Sequence, residues 1–93
     1  MKALYGKEEL VRCLTEDLEE ELEGIINYEH IHKSFMALGL HKEARTIERI
    51  AADEYDHVVS LWDLLKEHGA DLTHHTKIQE LWSEVKRIYS LNY

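Results

Sequence analysis

Apolar residues recur every three or four positions from Lys7 to Leu38: Leu10, Val11, Leu14, Leu18, Leu22, Ile25, Tyr28 and Phe35. That step traces one face of an α-helix. Glu21 and His32 fall on the same stripe. Gly39 follows as a C-terminal cap, so the pattern predicts one helix over about 7–38. A helix of about 30 residues is far longer than the usual three or four turns, and in so short a chain it points to a bundle. A tight turn, Gly39-Leu40-His41, leads to a second run over about 42–68, with Ala44, Ile47, Ile50, Ala51, Val58, Leu61, Leu64 and Leu65. Glu54 and His57 interrupt it. Gly69 ends this helix, and Ala70 to His75 reads as a loop. Thr76 and Gln79 have capping-box spacing and predict a third helix over about 76–91. Its stripe of Ile78, Leu81, Trp82, Val85, Ile88 and Tyr89 either packs on the hairpin or forms an oligomer contact.

Composition agrees with an all-α chain. There is no Pro and there are four Gly among 93 residues, which make one domain, 1–93, with a modest core. The net charge of -8 argues against nucleic acid and anionic membrane surfaces as partners and is compatible with cations. Cys13 is the single cysteine, so neither an internal disulfide nor a cysteine metal knuckle forms, and a cytoplasmic setting is expected. No stretch is long and apolar enough to span a bilayer.

The candidate chemistry lies in Asp53-Glu54-Tyr55-Asp56-His57. Glu54 and His57, three residues apart, sit one turn apart on a helix and converge on one point. A carboxylate oxygen with an imidazole nitrogen suits a divalent transition metal, iron above all. On an apolar stripe such a pair needs compensation. Glu21 offers it, because a short turn makes the long helices antiparallel neighbours and brings Glu21 and Glu54 to similar heights. Tyr28, seven residues after Glu21, lies within about 20° of it on the helix and could donate to carboxylates in that seam. Two-metal carboxylate centres take one Glu from each of two helices and a Glu-x-x-His from each of the other two. One chain supplies half of that set, and two chains about a two-fold axis complete it. Unmetallated, the carboxylates would repel, so metal should stabilise the dimer.

Glu16, Asp17 and Glu19 read as a solvated acidic face. Glu29 and His32 repeat the Glu-x-x-His spacing, but His32 stands about 16 Å along the axis from Glu21 and cannot share its metal. It reads as an interior or end-of-bundle histidine facing Ile47. His30 and His41 read as surface residues, His68 as a helix-end residue and His74-His75 as part of a polar loop.

With these residues the chain resembles the ferritin-like superfamily of di-iron carboxylate proteins. In rubrerythrins and encapsulated ferritins a Glu is followed seven residues later by a Tyr, then by a Glu-x-x-His after an acidic residue. Here these are Glu21 with Tyr28, then Asp53 and Glu54-Tyr-Asp-His57. The resemblance covers roughly Leu10 to His68 and is closest to the encapsulated ferritins. It implies a four-helix bundle completed by homodimerisation, with a higher oligomer of dimers as an extension. It also implies a di-iron centre that oxidises Fe(II) to Fe(III) in iron storage or detoxification. Glu54 would bridge the irons, Glu21 and His57 would complete each shell, and Tyr28 would orient the ligands. Glu20 and Glu23 match an acidic pair implicated in metal access. An encapsulin shell is the implied container, although the chain shows no targeting peptide at Ser90-Leu91-Asn92-Tyr93. No Cys-x-x-Cys follows, so the rubredoxin module of typical rubrerythrins is missing. Two further expectations stand beside the ferroxidase: a rubrerythrin-like peroxidase, and a non-enzymatic helical module that dimerises or docks through its third helix.

Overall fold

The computed structural model describes residues 1–92, with side chains through Ser90. Among these the chain is all-helical: α1 spans Lys7–Ala37, α2 spans His41–Glu67 and α3 spans Thr76–Asn92. Tyr93 lies outside the described residues. Each boundary falls within a residue of its predicted place. His41, expected in the turn, begins α2 instead.

The two glycines set the corners. Gly39 and Gly69 have φ of 75° and 81°, a left-handed conformation that L side chains rarely adopt. Both corners are Schellman motifs. The Leu40 N–H donates to the Phe35 carbonyl at 2.8 Å, and the Ala70 N–H donates to the Leu65 carbonyl at 3.0 Å. Each motif satisfies carbonyls left open at a helix end; the first leads into α2 after three residues, the second into the loop that reaches α3 at Thr76.

The core is built from all three helices. Leu18, Leu22 and Ile25 of α1 meet Val58 and Leu65 of α2, Ile78 and Val85 of α3, and Leu72 of the intervening loop. Fully burying side chains of this size stabilises by about 1.5–3 kcal/mol each before the cost of ordering them. The aromatic stripe of α3 packs on the hairpin. Trp82 lies 6.3 Å from Tyr55 and 5.4 Å from Trp62, centroid to centroid, and Tyr89 lies 4.7 Å from Tyr55.

The start of α3 differs from the sequence expectation. Thr76 is its first residue and does not cap it. His75 does: its Nδ1 accepts the Ile78 N–H at 3.2 Å. Gln79 turns its amide to the Leu72 carbonyl at 2.8 Å, tying the loop down.

α3 covers one side of the hairpin. Tyr55 and Trp62 turn toward it, and His57 and Leu64 follow each of them by two residues, about 200° round the helix. The molecule is a slab of 52 × 31 × 17 Å, and its thickness leaves the hairpin's other side uncovered. That outer side is not polar. On α2, Ile50, Glu54, His57 and Leu64 follow three-, four- and seven-residue steps, the spacing of a coiled-coil seam, while Ile47 borders a cleft with Tyr89 of α3 and Leu61 packs on the core. On α1, Leu10, Glu21, Ile31 and Phe35 fall on the equivalent line, while Leu14 packs on the core and Tyr28 borders the cleft with Tyr89. Leu10, Ile50 and Leu64 stay 46%, 37% and 38% exposed. Apolar residues thus continue along an outward seam on both sides of Glu54 and His57.

Candidate metal centre

Glu21 comes from the middle of α1, and Glu54 and His57 come from the middle of α2. The antiparallel hairpin brings the three together, each offering a ligand atom within 4.8 Å of the others. The His57 Nδ1 stands 3.8 Å from the Glu21 Oε2 and 3.8 Å from the Glu54 Oε1. These distances exceed hydrogen bonds. Donor atoms around an ion at 2.0–2.2 Å are separated by about 3–3.5 Å. The two His57 contacts need a contraction of a few tenths of an ångström, and the carboxylate oxygens, within 4.8 Å of each other, need a larger side-chain rotation to close the three on one cation. Two carboxylates match a divalent charge, and the imidazole favours a transition metal over calcium or magnesium.

A second observation fits a cation. The Glu21 Oε2 is shut off from solvent and has no hydrogen-bond partner among the described residues. Carboxylate oxygens in that position are normally paired. This one faces His57 across a gap.

The group is not interior, contrary to the expectation of a buried ionisable pair. The His57 side chain is 59% exposed and that of Glu21 28% exposed. Among the described residues no polar or charged one is fully buried. The stripe on which these residues fall is the outward seam, so a single chain bears little of the desolvation cost of burying them.

The other candidates separate. Tyr28 is half-buried but lines a different cleft, with Glu29, His32, Ile47, Glu48, Ala51 and Tyr89. No hydrogen bond joins its hydroxyl to Glu21 or Glu54. The two-turn rise between Glu21 and Tyr28, about 10 Å, is the reason. Glu20 and Glu23 also part company. Glu20 borders a cleft of about 320 Å³ with Asp17, Glu21, His57, Ser60 and Leu61. Glu23 is held by Lys77 of α3, Nζ to Oε1 at 3.0 Å. The same ammonium reaches the Glu19 Oε2 at 3.4 Å, and the His75 Nε2 lies 3.2 Å from the Glu19 Oε1. Glu23 first, and then Glu19, hold the Lys77 ammonium above its ordinary range. Glu19 therefore leaves the solvated face to which the sequence assigned it, and His75 is more than a loop residue. Only the packing of α3 against α1, invisible to helical periodicity, reveals both. Asp17 and Glu20 are the carboxylates left beside the candidate ligands.

His32 is where the sequence put it. Its Nε2 lies 2.7 Å from the Glu48 Oε1, next to Ile47 and away from Glu54. His30 and His41 are exposed, and His68 is the C-cap of α2.

No protein-family description, curated protein or solved structure matches the chain. No helix among the described residues is long and apolar enough to cross a membrane.

Proposed function

We propose that the chain is a ferroxidase of ferritin-like type that works as a homodimer. In this reading two copies of the Glu21, Glu54 and His57 group face each other across a two-fold axis and take up ferrous ions as substrate. The observation that carries the proposal is the convergence of two carboxylates and one imidazole on a single point, with the Glu21 Oε2 solvent-free and unpartnered. The outward seam gives the reason for a second copy. Apolar side chains at Leu10, Ile50 and Leu64 stay exposed around the ligands, and an identical seam would bury them.

The chemistry then follows from what each residue can do. Glu54, adjacent to the axis, can present one oxygen to each of two cations. Glu21 and His57 complete the ligand set on either side. Asp17 and Glu20 raise the local cation concentration at the open cleft. Two ferrous ions held together each give up one electron, and the pair of electrons reduces dioxygen or a peroxide, with solvent supplying the protons. Tyr28 is left with no direct part in ligand orientation, since it opens to the neighbouring cleft.

Anaerobic titration with ferrous ion tests this reading. The expected result is about one iron per chain in wild type, in keeping with two ligand sets sharing two metals, and a loss of binding in Glu54→Ala and His57→Ala. Sedimentation should show the dimer fraction rising with iron. Oxidation by dioxygen without an external donor distinguishes a ferroxidase from a peroxidase. Iron retained in both variants would overturn the site. An unchanged monomer would overturn the dimer.

A further inference from the structure

Outside the candidate metal centre, one side chain does two jobs that a single proton decides between. The His75 Nδ1 accepts the Ile78 N–H at 3.2 Å, which caps the first turn of α3. The opposite nitrogen, Nε2, lies 3.2 Å from the Glu19 Oε1 of α1. An imidazole that accepts at Nδ1 and faces a carboxylate at Nε2 is neutral and carries its hydrogen on Nε2. In that form the ring caps the first turn of α3, with its other edge beside Glu19 of α1.

Protonation removes this arrangement. A second hydrogen on Nδ1 would point at the Ile78 N–H, donor against donor, and the cap would be gone. The cation would also stand at the positive end of the helix dipole. Glu19 on α1 favours the charged ring. However, it already shares its other oxygen with Lys77 of α3, and that pair is partly exposed to solvent. Asp71 and His74 are the remaining titratable groups of the same loop, and the Asp71 carboxylate is engaged with the Thr73 N–H at 3.0 Å. We infer that His75 is a proton-sensitive latch: neutral, it caps the first turn of α3, and protonated, it releases that cap.

The latch predicts a tautomer and a pH dependence. Imidazole nitrogen–proton correlation spectra at pH 8 should show His75 as the Nε2–H tautomer. The amide of Ile78, corrected for its intrinsic exchange rate, should lose about fivefold protection between pH 8 and pH 5, the equivalent of one lost cap. His75→Asn supplies a side-chain oxygen that caps without titrating, so protection should become independent of pH. His75→Ala should lose protection at every pH, with Leu22 and Val85 amides reporting that the core persists. An Nδ1–H tautomer would overturn the latch. So would an Ile78 protection that holds or rises at pH 5, because the Glu19 ion pair would then dominate. The same pH dependence in His75→Asn would assign the effect to another group and also overturn it.

Discussion

Replacing Glu21 by Leu should make the metal-free protein more stable, and the structure fixes the size of the effect. The Glu21 Oε2 has no solvent and no hydrogen bond. Leaving a buried acceptor in that state costs about 1–3 kcal/mol, and more when it is charged. The side chain is 28% exposed, so its other oxygen is hydrated and the lower end of the range applies. Against this, the variant loses a contact of 3.8 Å to His57, partly exposed and worth no more than about 0.5 kcal/mol. Leu and Glu have similar helix propensities, so the backbone is indifferent. The net gain is about 0.5–1 kcal/mol, or roughly 2–8 °C in Tm for a chain of this size. Thermal unfolding of chelator-treated protein measures it, at a concentration where sedimentation shows both proteins to be monomers. Above the concentration at which iron drives dimerisation, wild type should gain further on adding ferrous or manganous ion, by about 2.7 kcal/mol at a hundredfold excess over Kd. Glu21→Leu should gain nothing. A metal-free Glu21→Leu that melts below wild type would refute the reasoning, because Glu21 would then be making a structural contact rather than awaiting a cation.

Four other outcomes follow from the same geometry. The double substitution Ile50→Asp and Leu64→Asp should leave the helical circular dichroism unchanged and abolish iron-dependent dimerisation in sedimentation, since both side chains are exposed on the seam and neither joins the core. Leu65→Ala, at a fully buried position, should cost about 2–5 kcal/mol in urea unfolding with m unchanged. Gly39→Ala forces a Cβ into φ of 75° with open space around it, so backbone strain alone should cost about 1 kcal/mol. Asp71 gives a pH test. The Thr73 hydroxyl, and then its amide N–H, hold the Asp71 carboxyl below its ordinary 3.8. A depressed folded pKa contributes stability above the unfolded value and loses it as pH falls through the folded value. Acid unfolding curves below about pH 4 should therefore be shallower in Asp71→Asn.

The three helices and both corners were legible because helix periodicity and glycine caps are local signals. Glu21, Glu54 and His57 could be brought together from sequence for a related reason. A hairpin with a short turn has one register, and spacing along two helices fixes heights across them. The facing was harder. The stripe that carries Glu54 and His57 looked like core because it also carries Ile50 and Leu64, yet two stripes exist on α2, and only the position of α3 tells which one is covered. His75 and Lys77 were missed for the same reason. Their partners Glu19 and Glu23 lie on another helix at a distance that no local pattern encodes. The capping box at Thr76 failed because the histidine one residue earlier caps the helix instead, accepting the Ile78 N–H, while the Gln79 N–H goes to the His75 carbonyl.

The placement of the ligands on the outer seam separates folding from assembly. A chain of 93 residues builds its core from Leu18, Leu22, Val58, Leu65, Ile78 and Val85, and none of the three candidate ligands belongs to that cluster. Had Glu21, Glu54 and His57 pointed into that core, each monomer would carry two buried carboxylates at a cost of several kcal/mol per ion, comparable with the whole stability of a small domain. On the outer face the cost arises only when a second seam approaches. In the proposed dimer the approach doubles the charge to four carboxylates, and the apolar residues around them favour contact while the carboxylates oppose it. A divalent cation at each ligand set reverses the second term without altering the first. Stability of the monomer should therefore be nearly indifferent to iron below the dimerisation threshold, and steeply dependent on it above. Unfolding measured with and without ferrous ion across a hundredfold range of protein concentration decides the point. A metal effect that is undiminished in the dilute monomer would place the complete site within one chain.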